Sequence, residues 1–300
     1  MHTRELGLVL ARQLGSVEDL HYGLWDNGLE LTFGNLRRAQ QRYSDHLIAQ
    51  LPPADGRVRI LDIGCGTGHL MRQLLDRGYA VDGVIPARAL GALVREKLRP
   101  CDAYQPRIFE CRFEAFPADE HAGAYDVALF SESFQYIPMT ASLPIVHRIL
   151  KPGGMLLIAD VFKSDAHGDA GPGDRSISGG HVLREFYERM RDTAFELLKD
   201  EDLTSRVSPN LDLVNDFLMQ RARPAALTLH RFLESNYPVT TRLALRLFRR
   251  RIEKLHYKYF CGHRCGATFE RYKRYRLLVY RLGCGSPANG AAAHAGGLAS

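Results

Sequence analysis

The sequence predicts an α/β protein whose sheet is mainly parallel and is covered by helices on both faces. Short apolar runs typical of strands alternate with segments in which apolar residues recur at intervals of three and four, as in amphipathic helices. This βαβ alternation forms parallel sheets buried between layers of helices. The chain has 300 residues, of which 45% are hydrophobic and 25% charged, which is ordinary for a soluble globular protein.

The chain up to residue 111 contains three predicted strands. Apolar spacing indicates helices at 3–14 and about 31–51, and PPADG at 52–56 then breaks the chain before an apolar strand. The segment YAVDGVIPARAL indicates a strand, a turn and a helix in succession. From residue 58 the predicted elements are strand 58–63, helix 68–77, strand 80–85, helix 87–98 and a strand near 107–111.

The rest of the chain continues the alternation and then becomes mostly helical. Apolar runs and turn residues predict strand 124–131, helix 140–150, a KPGG turn at 151–154, strand 155–162, helix 181–193 and strands 195–204 and 275–282. Residues 163–180 form a long polar, glycine-rich loop, which inside a compact domain is usually functional or disordered. Residues 210–260 are predicted to be mostly helical.

One helical stripe in this region is predicted to pack against other elements. It consists of Leu245, Phe248, Ile252, Leu255 and Tyr259, which recur at helical spacing. The last residues, 285–300, are of low complexity and are predicted to be disordered.

The charge is unevenly distributed along the chain. The net charge is +6, yet residues 242–281 hold 13 Lys and Arg against only two acids, Glu253 and Glu270. Such a segment is either a solvated face or a surface for an anionic partner, such as a phosphate-bearing substrate, a carrier protein or a lipid headgroup.

Composition also indicates the compartment. Six cysteines in a chain of this length do not make a disulfide scaffold, so reduced thiols in the cytoplasm are expected. No apolar run approaches the roughly 20 residues that span a bilayer, and the charged N-terminus is typical of a helix rather than a signal peptide.

The segment ILDIGCGTGHL at 60–70 carries the chemistry. Gly64, Gly66 and Gly68 follow a strand and lead into a helix, and glycine allows a positive φ and the close approach of a ligand. Helix N-terminal N–H groups beside such a loop favour a carboxylate or phosphate. The GxGxG turn occurs in both dinucleotide and S-adenosylmethionine (SAM) sites. The preceding acid, Asp62, favours SAM because it is placed to face the ammonium group of that cofactor.

Several motifs together resemble the class I, Rossmann-like SAM-dependent methyltransferases of the small-molecule type. VRILDIGCGTGHL resembles the first motif, AYDVALFSESFQYI the fourth strand, LKPGGMLLIADVF the fifth, and FELLKDEDLT the sixth. The resemblance implies a Rossmann-like, seven-stranded, mostly parallel sheet with an antiparallel last strand, N-terminal helices and a helical cap inserted before the last strand. The implied parts are a lid at 1–51, a SAM-binding core at 52–208 and 270–284, and a cap at 209–269.

The resemblance also implies site residues. Asp62, Gly64, Gly66 and Gly68, with Cys65 between them, match the loop at the methionine end of the cofactor. The positions that meet the adenine are matched by Arg112 and Phe113, although an aspartate is common in place of Arg112. The segment lining the reaction side is matched by Ser131, Glu132 and Ser133.

The family often places an acid at the end of the second strand, where it bridges the ribose hydroxyls, and this chain has Ile85 there. Asp82 does not substitute, because residues 82 and 85 point to opposite faces of the strand. We expect ribose recognition to use backbone groups or Arg88 instead, so Ile85→Asp should not abolish cofactor binding.

Methyltransferases of the tocopherol, sterol and cyclopropane-fatty-acid type resemble the chain most in pattern. They share an aromatic segment before the domain, here His21, Tyr22, Gly23 and Trp25. In those relatives the aromatic side chains close over the cofactor, and the alternative is an ordinary packing turn. The resemblance therefore adds Tyr22 and Trp25 to the cofactor-binding candidates.

The acceptor is predicted to be a small or lipid-like metabolite, methylated on oxygen or carbon, as in natural-product biosynthesis, and anionic or carrier-bound acceptors fit the basic segment. SESFQYI after the fourth strand argues against transfer to a nucleobase amine. The candidate bases are Glu132, His181 and His230, of which Glu132 is best placed. The alternatives are a non-catalytic SAM-fold binding protein and an RNA methyltransferase that uses the basic face.

No metal is predicted. Cys261, His263, Cys265 and Cys284 are candidate zinc ligands, but the C-x-H-x-C spacing is not a standard ligand pattern.

Overall fold

A twisted sheet forms the centre of the structure, a computed structural model that describes residues 21–26, 28–98 and 104–283. Its strands are β1 (Arg59–Ile63), β2 (Ala80–Val84), β3 (Ile108–Phe109), β4 (Tyr125–Ser131), β5 (Leu150–Lys163), β6 (His181–Val182), β7 (Phe195–Asp202) and β8 (Lys273–Leu282). The strand order is β3-β2-β1-β4-β5-β8-β7, and the two-residue β6 pairs with β5 off this path.

The strand directions confirm the predicted fold class. β1, β2, β3, β4 and β5 pair in parallel, whereas β8 runs antiparallel to both of its neighbours, β5 and β7. The last strand is therefore inserted between β5 and β7 against the direction of the rest of the sheet, and the only addition to the predicted seven strands in the described part of the chain is β6.

Helices precede, separate and follow the strands. They are α1 (Leu36–Ile48), α2 (His69–Asp76), α3 (Arg88–Leu98), α4 (Met139–Ile149), α5 (Leu183–Arg191), α6 (Thr204–Val207), α7 (Pro209–Phe217), α8 (Arg223–Asn236), α9 (Pro238–Tyr259) and α10 (Gly266–Tyr272). A short π-helical stretch, Leu218–Ala222, joins α7 to α8. The helix predicted at 3–14, the tail at 285–300 and Cys284 lie outside the described residues.

Two hydrophobic clusters cover the two faces of the sheet. Along β4 the side chains alternate between them: Val127 and Leu129 belong to one cluster, and Ala128 and Phe130 to the other. This alternation follows from the two-residue period of a strand. Because both faces of the sheet are buried at its centre, β4 is largely apolar, whereas the edge strand β7 is mostly polar and exposed.

The KPGG segment is not the free turn that the sequence predicted, because it lies within β5. Tyr125 pairs with Leu150 and Val127 with Met155, so β5 advances five residues while β4 advances two. The glycines and the proline therefore form a bulge inside the ladder, where turn-forming residues are also favoured.

The predicted packing stripe on α9 is a second correction. Leu245, Phe248, Ile252 and Leu255 are 38–53% exposed. Helices α8 and α9 are described along their whole length, and neither contains a buried residue. The stripe is therefore not part of a core, because α8 and α9 form a hairpin that the sheet and its covering helices do not bury.

Candidate cofactor and acceptor site

The glycine turn joins β1 to α2. Gly64, Gly66 and Gly68 have φ values of 84°, 56° and 74°, the left-handed region that favours glycine. The N–H of Gly64 donates to the carbonyl of Val84 across 2.8 Å. A Cβ on Gly64 would lie 2.4 Å from the Cβ of Ser133. Glycine is therefore required at this position both because it has no side chain and because it allows the positive φ.

Asp62 is a buried carboxylate without a hydrogen-bond partner in the described part of the chain. It lies on β1 two residues before Gly64 and is 2% exposed. No described residue donates a hydrogen bond to its oxygens, and burial alone raises its pKa to about 7. Because a buried carboxylate without a partner is costly, the site favours a cationic group that would pair with it.

The carboxyl end of β2 is apolar. Ile85 is 3% exposed and belongs to the same cluster as Cys65, Met71 and Val94, and its N–H donates to the carbonyl of Phe109. Burial raises the pKa of the Cys65 thiol, which is consistent with a packing role. No ribose-binding acid is therefore present at this strand end.

Asp82 is engaged on the other side of β2. Its oxygens accept hydrogen bonds from the hydroxyls of Tyr104 and Tyr125 and from the backbone and guanidinium of Arg107. Burial of Asp82 acts to raise its pKa, but these hydrogen bonds outweigh it and hold the pKa below its ordinary value. The side chain is thus a structural anion.

The two residues predicted to meet the adenine have different surroundings. Phe113 is 3% exposed and packs edge-on against Phe130, with ring centroids 5.7 Å apart. Arg112 is exposed and precedes the short 3₁₀ helix Phe113–Ala115. Contact of either side chain with a cofactor stays a prediction.

The aromatic segment at 21–25 is fastened to α1 and α7. Asn210 accepts a hydrogen bond from the N–H of Gly23 at 3.0 Å and donates one to its carbonyl at 2.7 Å. A Cβ on Gly23 would lie 2.5 Å from the Cβ of Ala39. Trp25 is 5% exposed in a small cluster with Leu213, so its ring is a packing element here.

Glu132 joins this segment to the end of β4. Its Oε1 accepts hydrogen bonds from the N–H of Tyr22 at 2.7 Å and from the hydroxyl of Tyr275 at 3.0 Å. Its φ of 55° is unusual for a residue other than glycine and costs about 1–3 kcal/mol, as is common at functional sites. Burial, followed by the nearby Asp160, raises its pKa to about 8 despite the two hydrogen bonds.

Two tyrosines that sequence reasoning missed complete the cluster. The hydroxyl of Tyr43 lies 2.9 Å from Ser131 Oγ and 3.1 Å from the hydroxyl of Tyr275. Burial raises the pKa of both tyrosines, so both are neutral hydroxyl groups near neutral pH. Tyr43 lies on the apolar face of α1, and Tyr275 lies on β8 between charged residues. The sequence around each tyrosine therefore indicates only that its side chain is in the core.

Asp160 on β5 is the second buried acid of this region. It accepts hydrogen bonds from the backbone N–H of Gln135 at 3.0 Å, from Gln135 Nε2 at 2.8 Å and from the N–H of Val161 at 2.6 Å. Burial raises its pKa to about 7, although these donors act against the shift. The carboxylate orders the segment that follows Glu132.

The two histidine candidates lie apart from this cluster. His181 Nε2 is 3.0 Å from the carbonyl oxygens of Phe134 and Ile137, so this nitrogen carries the proton that it donates. His230 is half-buried on α8, where its Nε2 lies 3.8 Å from Glu234. The structure therefore brings Tyr22, Ser131 and Glu132 together and leaves both histidines outside.

The cysteines near α10 do not form a ligand set with the described histidines. Cys261 Sγ lies 3.3 Å from His256 Nδ1, and Cys265 Sγ lies 3.3 Å from Thr268 Oγ1. Within residues 21–26, 28–98 and 104–283, no group of three or more His, Cys, Asp or Glu side chains is arranged to hold a metal ion.

In the same ranges, no helix has the length and hydrophobicity of a transmembrane span.

Comparison with known proteins gives consistent relatives. An uncharacterized methyltransferase of Mycobacterium tuberculosis is 31% identical over 132 residues, which are 43% of this chain and 51% of that protein. The chain thus matches about half the length of the first curated relatives. The 27-O-demethylrifamycin SV methyltransferase of Amycolatopsis mediterranei is 27% identical over 64% of this chain and 72% of that protein.

The solved structures agree with the fold. A putative sarcosine dimethylglycine methyltransferase from Galdieria sulphuraria superposes with a TM-score of 0.67 at 17% identity, over 92% of this chain and 98% of that one.

The family model described as a methyltransferase domain matches residues 36–200, which is more than half of the chain. This chain therefore belongs to the methyltransferase-domain family.

Proposed function

We propose that the protein transfers a methyl group from SAM to the oxygen or carbon of a small or lipid-like metabolite. One observation carries the proposal within this family: Asp62 is a buried carboxylate that no described residue pairs with, two residues before a glycine turn that approaches other backbone and side-chain atoms closely. A ligand with a cationic amino group would neutralise that carboxylate, and SAM carries one at its methionine end.

The residues present fit such a cofactor. Asp62 would pair with its ammonium group, and the turn formed by Gly64, Gly66 and Gly68 would allow the close approach of its methionine end. When bound, SAM supplies a methyl group activated by a sulfonium. Because Ser131 ends β4 and Glu132 follows it at the same sheet edge, we propose that they line the reaction side. Tyr22, hydrogen-bonded through its N–H to Glu132, would close that side.

Glu132 is the favoured base for an oxygen acceptor. Its Oε1 already accepts two hydrogen bonds, whereas no described residue hydrogen-bonds to Oε2, so Oε2 is available to an acceptor hydroxyl. With a pKa of about 8, the carboxylate can both take and return a proton near neutral pH. His181 is a weaker candidate because its Nε2 is committed to two backbone carbonyls. The rest of the rate would come from positioning the acceptor.

The proposal extends to the chemical class of the acceptor. The name of the rifamycin relative supports a small-molecule acceptor, and the excess of Lys and Arg in residues 242–281 supports an anionic or carrier-bound one.

We also propose a cytoplasmic location, where the thiols of Cys65, Cys111, Cys261 and Cys265 stay reduced. The division into a lid at 1–51, a core at 52–208 and 270–284, and a cap at 209–269 remains a proposal.

Calorimetric titration with SAM and with S-adenosylhomocysteine tests the first step. We expect the wild-type protein to bind both, Asp62→Asn to bind SAM at least about tenfold more weakly, and the exposed control Asp76→Asn to bind normally. If neither ligand binds the wild type at about millimolar concentration, the proposal is wrong.

Turnover needs a separate measurement. Release of S-adenosylhomocysteine should be followed against a broad panel of hydroxylated and unsaturated small molecules, with Glu132→Gln as the test of the base. Binding without turnover on any acceptor would favour the non-catalytic alternative.

A further inference from the structure

The hairpin formed by α8 and α9 exposes an unusual amount of apolar surface. Val239, Leu243 and Leu247 on α9 are 76%, 66% and 74% exposed, and Leu229 and Phe232 on α8 are 59% and 55% exposed. Single exposed apolar side chains are ordinary, but a concentration of them on one unburied hairpin indicates an interaction surface.

Cations continue the same face of α9. Arg246, Arg250 and Lys254 follow Val239, Leu243 and Leu247 by seven residues each, which is about two helical turns, so each cation lies above one apolar side chain. All three cations are exposed, and no described carboxylate forms an ion pair with Arg246 or Arg250. Apolar side chains and unpaired cations therefore share one face.

The whole hairpin is strongly basic. Residues 223–259 hold nine Lys and Arg side chains and two Glu side chains. Two copies of the hairpin packed together would place these cations side by side, which disfavours self-association. An acidic surface removes this repulsion, and a helix that mixes apolar side chains with Lys and Arg is suited to the boundary between headgroups and acyl chains.

We propose that α8 and α9 dock the protein on the surface of a bilayer that contains anionic lipids. Val239, Leu243 and Leu247 enter the headgroup region, while the long stems of Arg246, Arg250 and Lys254 let their charges stay at the level of the phosphates. The contact is formed by the exposed face of this hairpin. The inference does not depend on the proposed methyl transfer.

Sedimentation with vesicles tests this docking. We expect the protein to bind vesicles of phosphatidylcholine with about 30% phosphatidylglycerol at least about tenfold more tightly than pure phosphatidylcholine vesicles, and to dissociate in about 0.5 M NaCl. Absence of binding, or equal binding to both kinds of vesicle, would overturn the proposal.

Matched variants separate the hairpin from the rest of the surface. Arg246→Gln with Arg250→Gln should weaken binding about 10- to 30-fold, whereas Arg148→Gln with Arg184→Gln, also exposed, should change it less than about threefold. Val239→Ser, Leu243→Ser and Leu247→Ser together should weaken binding at least about tenfold, and Leu93→Ser, Leu197→Ser and Leu198→Ser together should not.

Two further measurements test whether the variants stay folded and whether a second copy of the protein covers this face. Circular dichroism should give the same thermal midpoint for the α9 variants as for the wild type, because none of their side chains is buried. If light scattering instead shows a dimer that the serine variant of α9 dissociates, and vesicles do not bind, a second copy covers this face and the proposal is wrong.

Discussion

The hydroxyl of Tyr275 on β8 donates a hydrogen bond to Oε1 of Glu132 across 3.0 Å, although the two residues are 143 positions apart in the chain. The same oxygen accepts the N–H of Tyr22 at 2.7 Å. One carboxylate oxygen therefore connects the N-terminal segment, the end of β4 and the antiparallel strand. Any cofactor or acceptor that binds beside Glu132 meets a carboxylate whose orientation is already fixed.

Tyr275→Phe should raise the pKa of Glu132 above its value of about 8. A hydrogen bond to a charged group contributes about 1.5–3 kcal/mol, and this one favours the ionised carboxylate. The loss of stability should therefore be larger at about pH 9, where Glu132 is ionised, than at about pH 6, where it is protonated. Urea unfolding at the two pH values measures the difference.

Tyr280→Phe is the matched control on the same strand. Tyr280 is 3% exposed, and its hydroxyl has no hydrogen-bond partner among the described residues. Its removal should change stability by a similar amount at both pH values. An equal loss at both values for Tyr275→Phe would contradict the role given to its hydrogen bond.

The sequence predicted the parts of the site that depend on local pattern. The glycine turn and Asp62 could be located because a strand, three glycines and a helix follow one another within 11 residues, 60–70. The antiparallel last strand followed from the family resemblance and was confirmed. Ser131 and Glu132 could be placed because the first ends a buried strand and the second follows it, and the carboxyl end of that strand faces the same edge.

The remainder depends on contacts between distant segments. In the sequence, Tyr43 and Tyr275 look like ordinary core residues. Glu132 is 89 residues from Tyr43 and 143 residues from Tyr275, and nothing in the sequence around either tyrosine points to that carboxylate. The clamp of Asn210 on Gly23 spans 187 residues. The apolar stripe of α9 was predicted to pack because periodicity identifies an apolar face without showing whether anything covers it.

Asp62→Asn should stabilise the ligand-free protein above neutral pH. The folded-state pKa of about 7 is raised above the ordinary value of 3.8, so the contribution of Asp62 to stability is greatest below about pH 4 and is lost as the pH rises through about 7. This rise in the pKa of Asp62 corresponds to an upper bound of about 4 kcal/mol. Thermal unfolding at about pH 5 and pH 8 should show a gain only at the higher pH.

The pH dependence of SAM binding should report the same carboxylate. Because the proposed pairing with the ammonium group requires ionised Asp62, affinity should fall as the pH drops below about 7, with release of a proton on binding. Asp62→Asn should remove the pH dependence that belongs to this group. Binding of unchanged strength from about pH 5 to pH 8 in the wild type would contradict the assignment.

Gly64→Ala should destabilise the protein more than Gly56→Ala. Both glycines have positive φ, 84° and 75°, but a Cβ on Gly64 would lie 2.4 Å from Ser133 Cβ, whereas one on Gly56 meets no atom within 4 Å. We expect about 1 kcal/mol for Gly56→Ala and about 3 kcal/mol or more for Gly64→Ala, measured by urea unfolding.

A double variant isolates the steric part of the Gly64 effect. Ser133→Gly removes the Cβ that Gly64→Ala would meet, although it also removes the hydroxyl that donates to the carbonyl of Ile63. The two changes together should therefore cost less than the sum of the single changes. Strict additivity would show that the positive φ alone accounts for the need for glycine.

Ile85→Asp should destabilise the fold, which the sequence alone did not indicate. Ile85 is 3% exposed within an apolar cluster, so the new carboxylate would be buried without a described donor directed at it. We expect a loss of about 3–5 kcal/mol, against about 1 kcal/mol for the conservative control Ile85→Val. Urea unfolding gives the stability, and calorimetry at low temperature gives the SAM affinity of the fraction that stays folded. If Ile85→Asp unfolds at the same urea concentration as Ile85→Val, the side chain is not confined to the cluster, and this strand end is open to the ribose.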